Sequence, residues 1–115
     1  ATTRFCTMPY TATFVPETLT RADVDATRGP LVLVFGANWC GWCQGAQPRI
    51  ASAFAQAGDA VPHVKVEDGA GRPLGRSFRV KLWPTLVFLR DGHEVARLVR
   101  PQAATEVADA LKQLA

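Results

Sequence analysis

Two cysteines three residues apart, Cys40 and Cys43, stand in the run Asn38-Trp39-Cys40-Gly41-Trp42-Cys43, with Pro48 five residues beyond the second thiol. A pair so spaced can staple a loop, clamp a metal or exchange electrons. A zinc site takes about four ligands, and the neighbourhood does not supply them. There is no second Cys-x-x-Cys, and His63 and His93 are isolated in a strand and a turn. No metal site is expected. A bridge closing so short a loop constrains little of the unfolded chain, so a structural staple would stabilise little. The remaining reading is a dithiol that reacts.

The nucleophile in thiol–disulfide exchange is a thiolate, and the flanking elements bear on which sulfur carries it. Leu31-Val32-Leu33-Val34-Phe35 is an apolar run without alternation, the pattern of a strand buried on both faces. Gly36-Ala37-Asn38 breaks it. Cys43, Ala46, Gln47, Ile50, Ala51 and Phe54 then recur at helical spacing, so a helix opens at the cysteines and runs to about Ala57. Cys40 falls at the helix N-terminus, where unpaired backbone N–H groups and a partial positive charge favour a thiolate. Cys43, one turn in, faces the core. This asymmetry predicts that Cys40 attacks a disulfide and Cys43 resolves the mixed disulfide that forms. Trp39 and Trp42 read as an apolar platform for a partner chain, with plain packing almost as good a reading for Trp39.

The elements that must hold this motif follow from the rest of the chain. Thr11 to Val15 reads as a short first strand, and Thr20 with Asp23 as the capping-box-like start of a short helix, Arg21 to Ala26. Val61 to Val66 is a further strand; Leu74, Phe78 and Val80 suit a short helix or irregular turn. Thr85 to Leu89 and Glu94 to Val99 are joined by an Asp91-Gly92 hairpin turn, and Val107, Ala108, Leu111 and Leu114 share one face of a last helix. The order β-α-β-α-β-α-β-β-α predicts an α/β fold with a mixed sheet and helices on both faces.

Composition narrows the function classes. With 115 residues, the chain reads as a single domain, residues 1–115, with a flexible segment over 1–10. It is 48% hydrophobic and 20% charged, with no apolar run long enough to span a bilayer. The net charge is +3, and the 13 basic residues, ten of them arginine, form no dense block, which argues against nucleic acid and membrane partners. The visible N-terminus has no apolar signal stretch, so the expected location is cytoplasmic, or periplasmic or secreted if a signal has been removed. Arg72, Arg76 and Arg79 form either a basic stripe favouring acidic partners or a solvated helix face. Cys6 reads as an unpaired surface thiol, with a regulatory or intermolecular bridge as the alternative.

Trp39-Cys40-Gly41-Trp42-Cys43 after a buried strand, Pro48 in the helix, Trp83-Pro84-Thr85 opening another strand, the Asp91-Gly92 hairpin and the amphipathic last helix together resemble the thioredoxin family, from about Thr11 to Leu114. The resemblance implies a thioredoxin fold with about five strands and about four helices. It makes Cys40 the exposed nucleophile, Cys43 the resolving thiol and Pro84 a cis-proline beside the dithiol. Trp39, Gly41, Trp42, Trp83, Pro84 and Thr85 would form the substrate surface, with Lys65 near the proton-transfer position. The implied activity is a thiol–disulfide oxidoreductase on protein disulfides, a reductase recycled by another reductase or a small thiol, without cofactor and as a monomer. A redox-switched binding module, or an oxidant or isomerase in an oxidising compartment, is the alternative.

Three departures from the family pattern qualify the resemblance. Val34 stands where many members carry a buried aspartate, which implies slower resolution of mixed disulfides. Gly-Trp replaces Gly-Pro between the cysteines, which implies a pair somewhat more oxidising than is usual in the family. Trp83 replaces a smaller residue before the proline, either adding to an aromatic patch or filling the space left by Gly36.

Overall fold

The computed structural model describes residues 13–16, 18–57 and 61–114. Its elements are α1 (Arg21–Ala26), β1 (Pro30–Gly36), α2 (Gly41–Ala57), β2 (His63–Glu67), α3 (Pro73–Ser77), β3 (Thr85–Arg90), β4 (His93–Val99) and α4 (Ala104–Lys112). The strands form one mixed sheet in the order β2-β1-β3-β4. β1 runs parallel to β2 and antiparallel to β3, and β3 pairs with β4 across the hairpin.

The apolar run of β1 is explained by what covers it. Val32 and Val34 join a cluster with Cys43, Ile50 and Phe54 of α2 and Val107 and Leu111 of α4. Leu31, Leu33 and Phe35 join a second cluster with Val24 of α1 and Leu74 of α3. Side chains alternate faces along a strand, so a strand with helices on both sides must be apolar at every position.

One expectation needs correction. The sheet has four strands among the described residues, not about five. In the described part of the expected first strand, Val15 makes a single parallel bridge to Val66, with its amide donating to the Lys65 carbonyl at 3.3 Å and its carbonyl accepting from Glu67 at 2.7 Å. Pro16 follows at once and has no N–H to extend the ladder. Residues 11 and 12, the segment 1–10 and Cys6 lie outside the described residues.

Local chemistry sets the remaining boundaries. Thr20 and Asp23 exchange side-chain bonds in a full capping box, at 3.1 and 2.9 Å, and start α1. Asp91 and Gly92 both take positive φ, 51° and 80°, as a two-residue hairpin turn requires. α2 continues through Pro48, which lies on its exposed side.

Candidate active site

β1 ends at Gly36, and the Cys40 amide donates to the Ala37 carbonyl at 3.1 Å, turning the chain into α2. The Cys40 carbonyl accepts the first helical bond, from the Gln44 amide at 3.0 Å. Cys40 is therefore the N-cap of α2. Its sulfur takes the place usually held by a serine or aspartate oxygen, accepting from the Cys43 amide, the third residue of the helix, at 3.3 Å. An N–H aimed at the sulfur and the positive end of the helix both favour negative charge there.

The Cys43 thiol is held protonated. Burial, then the hydrogen bond with Cys40, pushes its thiol up to about 12, against a backbone bond at Ala37 and the charge of Lys65. The contrast between the sulfurs does not lie in access, as the resemblance implied: Cys40 is 7% exposed and Cys43 4%. Trp83 packs against the cluster that holds both.

Beneath the dithiol, a Cβ on Gly36 would stand 2.6 Å from Cys43 Sγ and 2.8 Å from Phe14 Cζ. Phe14 and Cys43 Sγ, rather than Trp83, occupy the space that the glycine leaves. Phe14 is pinned by Asn38, whose Oδ1 accepts from the Phe14 amide at 2.8 Å and whose Nδ2 donates to its carbonyl at 3.0 Å. Lys65 is buried, with Nζ 4.9 Å from the centre of the Phe14 ring. Burial lowers its ammonium from 10.5 to about 8, against an opposing attraction to Cys43. Val34, the register partner of Lys65, is wholly buried.

The rim gathers the aromatic residues. Trp39 is 74% and Trp42 55% exposed. Trp39 meets Trp83 edge to face at 5.5 Å, and the Trp83–Pro84 peptide is cis. Trp83 is held twice: its Nε1 donates to Asp68 Oδ2 at 2.9 Å, and its carbonyl accepts from Arg100 Nε at 2.8 Å. The same guanidinium lies 4.3 Å above the Trp42 ring. Thr85 is buried, and its hydroxyl donates to the Leu82 carbonyl at 2.6 Å, so its side chain closes the loop instead of facing a substrate. Gly41 is exposed, with open space around it.

Arg100, Asp68, Asn38 and Phe14 were not singled out from the sequence. Arg100 alone carried a signal there, because it directly follows β4, but no local pattern ties it to Trp83. Among the described residues, no three His, Cys, Asp or Glu side chains are clustered as a metal site would need.

The comparisons agree with this geometry. The thioredoxin family model matches residues 12–113. The chain is similar to the thioredoxin of Mycolicibacterium smegmatis, 34% identical over 77% of this chain and 85% of that one. It is also similar to protein disulfide-isomerase A3 of Gallus gallus, 36% identical over 84% of this chain but only 20% of that much longer protein. Among solved structures, thioredoxin 2 from Pseudomonas aeruginosa PAO1 in its reduced form superposes with a TM-score of 0.79 at 52% identity, covering 89% of this chain and 94% of that one. A cysteine capping a helix, a second one three residues on and a cis-proline before β3, in a chain matched in sequence and in fold to these proteins, place it in the thioredoxin family as a thiol–disulfide oxidoreductase working through its Cys-x-x-Cys pair.

Proposed function

We propose that the chain is a reductase of protein disulfides in which Cys40 attacks and Cys43 resolves. The observation that carries this assignment is the Cys43 amide bonded to Cys40 Sγ, which favours charge on one sulfur, while burial keeps the other protonated. The Cys40 thiolate attacks one sulfur of the substrate disulfide. That S–S bond breaks, the departing sulfur leaves as a thiolate that takes up a proton, and a Cys40 mixed disulfide remains. Cys43 then loses its proton and attacks Cys40 Sγ, releasing the second substrate thiolate, which is protonated in turn. Two electrons have passed to the substrate, which is now a dithiol, and the chain holds a Cys40–Cys43 disulfide.

Lys65 is the group suited to receive the Cys43 proton. With its ammonium lowered to about 8, about a tenth of it is neutral amine at pH 7. Trp39, Trp42 and Trp83 offer an apolar rim to the partner chain. No bound cofactor enters the scheme, because the dithiol stores the electrons. A disulfide reductase or a small thiol restores it. The reading places the chain as a monomeric single domain in a reducing compartment such as the cytoplasm. Among the described residues, no helix is long and apolar enough to cross a membrane.

The test is reduction of a small disulfide-bonded protein. Cys40→Ser abolishes turnover, and Cys43→Ser accumulates a mixed disulfide through Cys40, detectable by mass under non-reducing conditions. Full turnover by Cys40→Ser, or trapping through Cys43 in place of Cys40, would overturn the assignment.

A further inference from the structure

Beside the rim, a cavity of about 430 Å³ is lined chiefly by Asp68, Arg72, Arg76, Arg79, Lys81 and Trp83. Four of these side chains are cationic and one is acidic. The acid is already engaged, since Asp68 Oδ2 accepts from Trp83 Nε1 at 2.9 Å. Of the four cations, Arg72 alone has a carboxylate within ion-pair distance among the described residues, Glu67 at 3.6 Å. Arg76, Arg79 and Lys81 are exposed.

The backbone supplies a second observation. The end of α3 is closed by the Val80 amide donating to the Gly75 carbonyl at 3.0 Å and the Arg79 amide donating to the Arg76 carbonyl at 3.0 Å. This is the Schellman pattern, whose left-handed residue is usually glycine. Here it is Arg79, at φ 58°. A side chain kept where the backbone favours none points to a use for that side chain.

We propose that this cavity is a subsite for acidic side chains of the protein whose disulfide is reduced, an inference that rests on the reductase reading above. Trp83 is the wall shared by cavity and dithiol: it lines the one and packs with Trp39 and the cysteine cluster at the other. A partner segment crossing Trp83 passes from the reacting sulfur to the guanidinium groups. Planar guanidinium forks hold carboxylates in two-point, charge-assisted hydrogen bonds.

Two disulfide-bonded peptides, identical except that one carries three Glu where the other carries Gln, test this together with Cys→Ser copies that can bind but not react. The acidic peptide should be favoured about 10-fold in kcat/KM at low salt, and the preference should shrink as salt rises. Its Cys→Ser copy should bind more tightly than the neutral one. Arg79→Gly should lower both preferences while raising the melting temperature, a pairing that a merely structural arginine would not give. Charge-preferring binding without reduction of either peptide would sink the reductase reading and keep the subsite. Equal binding and equal reduction of the two peptides would overturn the subsite alone. A charge dependence confined to glutathione disulfide would also overturn it, in favour of a small anionic thiol.

Discussion

Position 34 lies within the cluster that holds both sulfurs, yet it carries a valine with no accessible surface. An aspartate there would offer Cys43 a base; with valine, Lys65 is the cation whose charge registers on that thiol. Lys65→Met should therefore slow release of the second substrate thiol from the Cys40 mixed disulfide by about 10-fold, and should flatten its pH dependence near 8, where the amine becomes neutral. Val34→Asp should accelerate the same step. Single-turnover release measured from pH 6 to 9 checks both, and unchanged rates in Lys65→Met at every pH would remove the lysine from the mechanism. At this scale the places of the cysteines at the start of a helix were legible from a short motif, and Lys65 was pointed to by the family resemblance alone. Arg100 and Asn38 were not, because each acts on residues 17 or 24 positions away along the chain, and only the folded path brings them together.

At the scale of elements, the hairpin shows how far a local signal reaches. Asp91-Gly92 announces a turn because both residues tolerate positive φ, but nothing local announces what the turn packs against. Asp91 Oδ1 accepts from the Gly29 amide at 2.8 Å, and Gly92 lies so close to the Asp25 backbone that a Cβ would collide with its carbonyl. The turn thus joins β3 and β4 to the α1–β1 connection. Gly92→Ala should cost about 2 kcal/mol, from the left-handed φ of 80° and from the collision. Denaturant midpoints measure it, and a loss below about 0.5 kcal/mol would show that the contact yields freely. The expected first strand is described only from residue 13 on, where a lone bridge at Val15 is the pairing present and Pro16 has no N–H to extend it. The buried strand, the long helix and the last helix were readable because period and length there agree with what packs on them.

For the whole molecule, the dithiol and its neighbours couple stability to pH and to redox state. Burial lowers Lys65 from 10.5 to about 8, so between those values the unfolded chain binds the proton that the folded chain has released, and stability rises with pH. Cys43 is raised from 9.0 to about 12, so above 9 the unfolded chain has lost a proton that the folded chain keeps, and stability falls. His63 is lowered from 6.5 by burial and by the Lys65 charge, so stability is lost as pH drops below that value. From these three groups the reduced protein should gain stability up to about 6.5 and again from 8 to 9, hold level to about 10.5, and decline beyond. The oxidised protein has no Cys43 thiol to titrate, so its stability should keep rising from 8 to 10.5, and the gap between the two forms should widen above 9. Lys65→Met should remove the rise above 8 from both forms and add on the order of 2 kcal/mol at pH 7, where the wild-type ammonium is held against its burial cost. Urea midpoints of the reduced, oxidised and Lys65→Met proteins across pH 5.5 to 11 resolve these limbs, and parallel curves for the two redox forms above 9 would show that Cys43 is not held protonated by the fold.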